Sequence, residues 1–290
     1  MDVVSENLTF TYSKDSKALA FKALDGVTLS VREGEFLGII GKTGSGKSTF
    51  VQHLNGLIKV QKDGGRILIG DFDLSDKKCD FRKLRSKIGM MFQYPEQQLF
   101  AETVADDVAF ALKNFYQGQS AEERAEKVRE ALKLVGLDYD KIKDVSPFEL
   151  SGGQKRRVAI AGVLVARPEI LILDEPAAGL DPKGKKDFLD MLVEIHKTFA
   201  KTIIIVSHDM DLVAEYCSKV AVMKDGKIAK YGTPEEVFAD GEFIKNCGLE
   251  LPLTARIKER LKARGMDIKG DFTVGGFIDG VLAALKGGKR

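Results

Sequence analysis

Two short stretches carry residue types that together can hold and cleave a polyphosphate. Gly41-Lys42-Thr43-Gly44-Ser45-Gly46-Lys47-Ser48 fits the spacing G-x-x-x-x-G-K-[ST], after an apolar run and before a helix-forming one. Its glycines let backbone N–H groups turn inward around a polyanion, and the following helix points its positive end at the same place. In such a loop Lys47 bridges the β- and γ-phosphates and the Ser48 hydroxyl ligates Mg²⁺, while Gly41, Thr43, Gly44, Ser45, Gly46 and Thr49 complete the cradle. Further on, Ile170-Leu171-Ile172-Leu173-Asp174-Glu175 is an apolar run closed by two acids. Alone, such a pair reads as a solvated turn. Beside a phosphate loop, Asp174 suits the metal, directly or through a water, and Glu175 is placed to polarise an attacking water as general base.

Leu150-Ser151-Gly152-Gly153-Gln154 lies between these stretches and opens another helix with a hydroxyl and two glycines, a second anion-seeking start. Here the sequence resembles the ATP-binding cassette family, whose LSGGQ signature it matches without substitution. The resemblance implies an α/β nucleotide-binding domain with a RecA-like core, an antiparallel β subdomain and an α-helical subdomain. It also implies a head-to-tail dimer in which Ser151, Gly152, Gly153 and Gln154 of one chain close over the ATP and Mg²⁺ of the other.

The same resemblance carries roles to further positions. Gln93, after a strand expected over residues 88–92, is similar to the Q-loop glutamine that touches Mg²⁺ and the water while its loop meets the membrane partner. Asp181, in Leu180-Asp181-Pro182, is similar to the D-loop acid that aligns facing sites, and His208, in Val206-Ser207-His208-Asp209, to the switch histidine at the γ-phosphate. Tyr12 resembles the aromatic that stacks on adenine, with Phe10 a competitor on the same strand face. His53 and His196 are expected to be structural. Ala177 stands where the family usually has Thr after the Glu-Pro pair.

Gln93-Tyr94-Pro95-Glu96-Gln97-Gln98-Leu99-Phe100, followed by Glu102-Thr103-Val104, resembles the Q-loop region of energy-coupling-factor transporter ATPases, the vitamin and cobalt/nickel uptake group. The tail from Leu249, with Leu251-Pro252 and Phe272-Thr273-Val274, resembles that group's C-terminal dimerisation region. The Tyr-Pro-Glu wording and Ala178-Gly179-Leu180-Asp181-Pro182 lean towards the second of its two paralogous types. The partners implied are a second ATPase subunit, the same or paralogous, a transmembrane scaffold and a small substrate-binding membrane protein at the cytoplasmic face. One rival, the ATPase of a binding-protein-dependent importer, would share every catalytic residue. Another, a soluble cassette ATPase remodelling ribosomes or DNA, usually has two cassettes or a long coiled coil, and neither is present.

The elements that must position these residues are legible in part. Short extended pieces are expected at 7–12, 27–31 and 36–40, the last apolar at every position, as for a strand buried on both faces. Residues 97–167 read as a largely helical subdomain, in which Ser120 and Glu123 form a capping box, Val128, Ala131, Leu132 and Val135 share a face, and Gly136 ends the helix. Strands at 170–173 and 202–206 alternate with helices at 183–199 and 210–216, the pattern of a parallel sheet with crossover helices. Strands at 220–224 and 227–231 flank the hairpin turn Asp225-Gly226, and Thr233, Pro234 and Glu236 start another helix. The domains expected are 1–240, the nucleotide-binding domain, and 241–290, a small appended module with a basic amphipathic stretch at 255–264 and a tail at 286–290.

Of 290 residues, 44% are hydrophobic, enough for a core, and 45 Lys+Arg against 43 Asp+Glu leave +2, which disfavours a nucleic-acid partner. No apolar run approaches the roughly 20 residues that cross a bilayer, and the first residues lack a signal peptide's pattern, so a cytosolic location is expected. Cys79, Cys217 and Cys247 read as ordinary thiols.

Overall fold

The computed structural model describes residues 1–13 and 19–287, so residues 288–290 of the expected tail lie outside the described residues. The chain begins with β1 (Val3–Tyr12) and β2 (Phe21–Val31), which pair antiparallel. β3 (Phe36–Ile40) then runs into the glycine-rich loop and α1 (Lys47–Leu54). β4 (Arg66–Ile69) and β5 (Phe72–Asp73) extend the first sheet to the order β2-β1-β4-β5. Next come α2 (Phe81–Lys87) and β6 (Ile88–Met91). A helical lobe follows, built from α3 (Val104–Phe115), α4 (Ala121–Leu134), α5 (Tyr139–Ile142) and α6 (Gly152–Leu164). The chain returns through β7 (Ile170–Asp174), α7 (Pro182–Thr198), β8 (Thr202–Val206), α8 (Met210–Tyr216), β9 (Lys219–Lys224) and β10 (Lys227–Gly232). It ends in α9 (Pro234–Phe238), α10 (Gly241–Asn246), α11 (Leu253–Lys262) and α12 (Val274–Gly287).

The second sheet has the order β10-β9-β3-β8-β7-β6, parallel from β9 to β6, with β10 antiparallel at its edge. β3, β7 and β8 are buried throughout, which explains their unbroken apolar runs. Their alternate side chains serve two cores: Ile170 and Ile172 join the core beneath the first sheet, whereas Leu171 and Leu173 join the core under α6, α7 and α8. In α4, Val128, Ala131 and Leu132 are buried as their spacing implies, the Ser120–Glu123 capping box forms, and Gly136 follows in the left-handed region with φ 72°. β4, β5 and α2 are not among the elements expected from sequence, and β1 and β2 begin at Val3 and Phe21, several residues before the expected 7 and 27.

The segment beyond residue 240 does not build a core of its own at its start. Ile244, Cys247, Leu251 and Ala255 pack into the core under α7 and α8. Leu253 N–H donates to Asp211 and Val274 N–H to Glu215, both on α8. α12 is different, with Val274, Ile278, Leu282 and Leu285 exposed.

Candidate nucleotide site

Sheet order brings the chemistry together. β3, β8, β7 and β6 are neighbours, so the segments leaving their C-terminal ends converge: the glycine-rich loop, His208, Asp174 with Glu175, and Gln93. A crevice outside the carboxyl ends of parallel strands is the usual ligand position in such sheets. Here it is a cavity of about 660 Å³ whose walls include Thr43, Gly44, Gly46, Lys47, Ser48, Thr49, Gln93, Asp174, Glu175 and His208.

Packing dictates the loop's shape. Gly46 caps α1 with φ 103°, and a Cβ there would lie 2.5 Å from the Ala23 carbonyl oxygen. A Cβ on Gly41 would lie 2.3 Å from the Met223 carbonyl oxygen. From behind, the β9–β10 turn supports the loop, Gly226 N–H donating to Ser45 O at 3.1 Å. No side chain caps α1, and its first turn contains no acid, so its N–H groups face the cavity uncontested. Ser45 Oγ is buried without a partner among the described residues.

Lys47 Nζ donates to the carbonyls of Gly41 and Lys42, at 2.7 and 3.1 Å. Burial lowers its pKa, and the charges of Glu175 and Asp174 oppose that shift. Asp174 is 7% exposed; burial raises its pKa against a hydrogen bond from Ser48 and the charge of Lys47. Glu175 adopts φ 50°, rare for a residue with a side chain, with its N–H on the Val206 carbonyl at 3.0 Å. Its Oε2 lies 2.8 Å from His208 Nδ1.

Other expected residues lie elsewhere. Ser151 caps α6 through a reciprocal box with Gln154, exposed and outside the cavity, and Gly152 and Gly153 are exposed beside it. Asp181 caps α7, accepting from Gly184 N–H at 3.2 Å, also outside the cavity. Tyr12 is 40% exposed, packed edge-on against Phe10 with its hydroxyl 3.2 Å from Thr49 Oγ1, and its ring is not a wall of the cavity. Phe21, which the sequence reading missed, is a wall. It sits opposite Tyr12 in the β1–β2 register, a placement only strand pairing reveals. Lys185 is another omission: it pairs with Asp209, the cap of α8 beside His208, and this hydrogen bond with that from Leu212 N–H outweighs burial to lower the Asp209 pKa. His53 and His196 bond the backbone carbonyls of Thr49 and Lys201.

The donor set suits a hard cation held largely by its ligand. Ser48, Asp174 and Gln93 offer oxygens to one cavity, and among the described residues no group of three or more His, Cys, Asp or Glu could hold a metal ion. Mg²⁺ commonly takes one or two protein oxygens, substrate phosphates and waters.

Comparison with known proteins agrees with this geometry. The ABC transporter family model matches residues 24–178. An energy-coupling factor transporter ATP-binding protein EcfA2 of Caldanaerobacter subterraneus is 47% identical over 291 residues, covering 100% of both chains. Among solved structures, cbiO1 of Clostridium perfringens, part of the ABC transporter complex cbiONQ, has a TM-score of 0.72 at 41% identity, covering 89% of this chain and 98% of its own. The ATP-binding cassette MJ0796, solved as a dimer in a post-hydrolysis state with ADP and Pi, has a TM-score of 0.71 at 32% identity, covering 80% of this chain and 98% of its own. The chain is therefore a member of the ABC transporter ATP-binding family, on the energy-coupling-factor branch.

Proposed function

We propose that this ATPase subunit of an energy-coupling-factor importer completes its active site only by pairing, each ATP being held between the phosphate loop of one chain and the signature segment of another. One observation carries the reading. Gly152 and Gly153 lie at the start of an ordinary helix, and a Cβ on either would have nothing within 4 Å, so this chain's own packing gives no reason for their smallness. Bare backbone at a helix start whose first turn holds no acid suits an approaching phosphate. That MJ0796 was solved as a dimer bound to ADP and Pi supports pairing.

Within that site Lys47 carries the β- and γ-phosphates, the α1 N–H groups neutralise them further, and Tyr12 or Phe21 supports the base. Ser48, Asp174 and Gln93 would hold Mg²⁺, which when bound neutralises charge developing on the phosphate oxygens. Glu175 accepts the proton of the attacking water. His208 steadies that carboxylate through Nδ1 and leaves its other ring nitrogen for the γ-phosphate. Ser151 and Gly153 of the partner would close over the γ-phosphate, and Asp181 would help align the facing sites. ATP joins the pair, and hydrolysis removes the shared phosphate and reopens it; moving such an equilibrium from 1:99 to 99:1 takes about 5.5 kcal/mol of differential binding.

The region around Gln93 would meet a transmembrane scaffold, with a small substrate-binding membrane protein beside it, and residues 241–290 would help join the ATPase pair. No described helix is long and apolar enough to cross a membrane, so attachment would be peripheral, at the cytoplasmic face. Purification from native membranes with mass-spectrometric identification of companions tests this. A scaffold, a small membrane protein and a second ATPase are expected; ribosomal proteins or a soluble binding-protein system would overturn it.

A further inference from the structure

Arg156 lies in the second turn of α6 and is 7% exposed. Its Nη1 donates to the carbonyl of Ala178 at 2.9 Å and its Nη2 to the carbonyl of Pro176. These carbonyls belong to the short segment that follows Glu175, whose backbone is already in an uncommon conformation. A planar guanidinium gripping two carbonyls of one turn fixes that turn's orientation as a point charge cannot.

The third edge of the guanidinium is open. Among the described residues, Arg156 Nε is buried without a partner, and so is Glu96 Oε2. Glu96 lies in the 3-10 turn Pro95–Gln98, which packs against α6 just after Gln93. Burial weakens the charged state of Arg156, and Glu96 is the foremost charge opposing that effect. Buried donors and acceptors almost always find partners. An unfilled donor on α6 and an unfilled acceptor on the turn packed against it are therefore the two groups that a movement of the 95–98 turn would bring together.

We propose that Arg156 is a positioning residue for hydrolysis, holding the Pro176 and Ala178 carbonyls so that Glu175 faces the phosphate cavity, and receiving Glu96 on Nε when the turn beside Gln93 moves. One side chain thereby joins the segment expected to meet the membrane partner to the acid expected to activate water. The inference rests on the reading of Glu175 as general base.

The test measures ATP turnover of the chain in the complex with which it purifies, alongside nucleotide binding and thermal melting. Arg156→Gln is expected to lower kcat about 10-fold to 100-fold, as loss of a supporting contact does, with the KM for ATP changed less than about twofold. Arg156→Lys keeps the charge but cannot span both carbonyls, so it falls between the two. Glu96→Gln lowers kcat less than Arg156→Gln, and the double variant is no slower than Arg156→Gln alone. In a Glu175→Gln background, Arg156→Gln adds no further loss, because the carboxylate it positions is gone. A full multiplicative loss there, with Glu175→Gln itself slow, overturns the inference and leaves the general base standing; undiminished turnover of Glu175→Gln alone overturns the general base first. Should Arg156→Gln fail to fold, Arg156→Lys and Glu96→Gln decide, and unchanged kcat in both overturns the proposal.

Discussion

The phosphate loop and the signature segment are both glycine-rich helix starts, yet they use glycine for opposite reasons. At Gly41 and Gly46 the chain's own carbonyls stand where a side chain would go, so the interior dictates the residue. At Gly152 and Gly153 the space is empty and the backbone is helical, so the interior is indifferent. In the first region burial works against the charges of Lys47 and Asp174, and their mutual attraction opposes that cost. In the second, the Ser151 hydroxyl bonds, among the described residues, with Gln154 of its own capping box. A region finished by its own packing and one left open to solvent are what half of a composite site should contain.

The largest expected effect lies on the finished side. Glu175→Gln should retain ATP and trap the closed pair while turnover falls by about 10²-fold to 10⁴-fold, the weight of a general base. Turnover at the native rate would remove Glu175 from that role. On the open side, Ser151→Arg should lower turnover by about 10²-fold to 10³-fold, as loss of a preorganised donor does, while the isolated chain binds nucleotide as before. Loss of binding by unpaired chains would place Ser151 in its own chain's site and erase the contrast.

Stability sharpens the comparison with a smaller effect. Gly46→Ala forces a side chain onto φ 103° and against the Ala23 carbonyl, at a cost of about 1–3 kcal/mol. Gly152→Ala meets nothing and sits in a helix, where alanine is favoured by up to about 1 kcal/mol. Melting of the isolated variants should therefore shift in opposite directions. A Gly152→Ala chain as unstable as Gly46→Ala would mean that the signature segment is also governed from within.

The same contrast explains what could be read from sequence. The loop at 41–48, the acids at 174–175 and the signature at 150–154 are local patterns, because each helix start or strand end needs its residues in a row. Gln93 and His208 carry no local signal and were reached only through family resemblance. What unites them is the adjacency of β6, β7, β8 and β3, a spatial order that differs from chain order. Strands β4 and β5, of four and two residues, are too short to show a period. Phe21 joins the cavity wall, and Lys185 the α8 cap beside His208, through pairings across strands and helices, which spacing along the chain does not encode.

The aromatic end of the cavity is a smaller effect again. Tyr12 is engaged by Phe10 and Thr49, whereas Phe21 is 56% exposed and faces the cavity. A stacked ring contributes about 0.5–1.5 kcal/mol beyond area burial. Phe21→Ala should therefore weaken ATP binding more than Tyr12→Ala in equilibrium titrations, and the reverse order would return the base to Tyr12.

The last difference between the regions is electrostatic. Burial raises the Asp174 pKa in the folded chain, so the fold binds this proton more tightly than the unfolded chain, whose carboxyl titrates near its ordinary 3.8. Between that value and the raised one, stability contributed by this group falls as pH rises, and above the window the cost of the buried charge is complete. Asp174→Asn removes the charge, while Lys47 keeps Glu175 and the carbonyls of Gly41 and Lys42. Without nucleotide, the variant should melt above the native chain at neutral pH, by about 2–4 °C for each kcal/mol relieved, and the difference should shrink as pH approaches 4. A gap that stayed constant across that range would show that Asp174 carries no strain in the empty site, and that the phosphate region is no more electrostatically loaded than the signature helix.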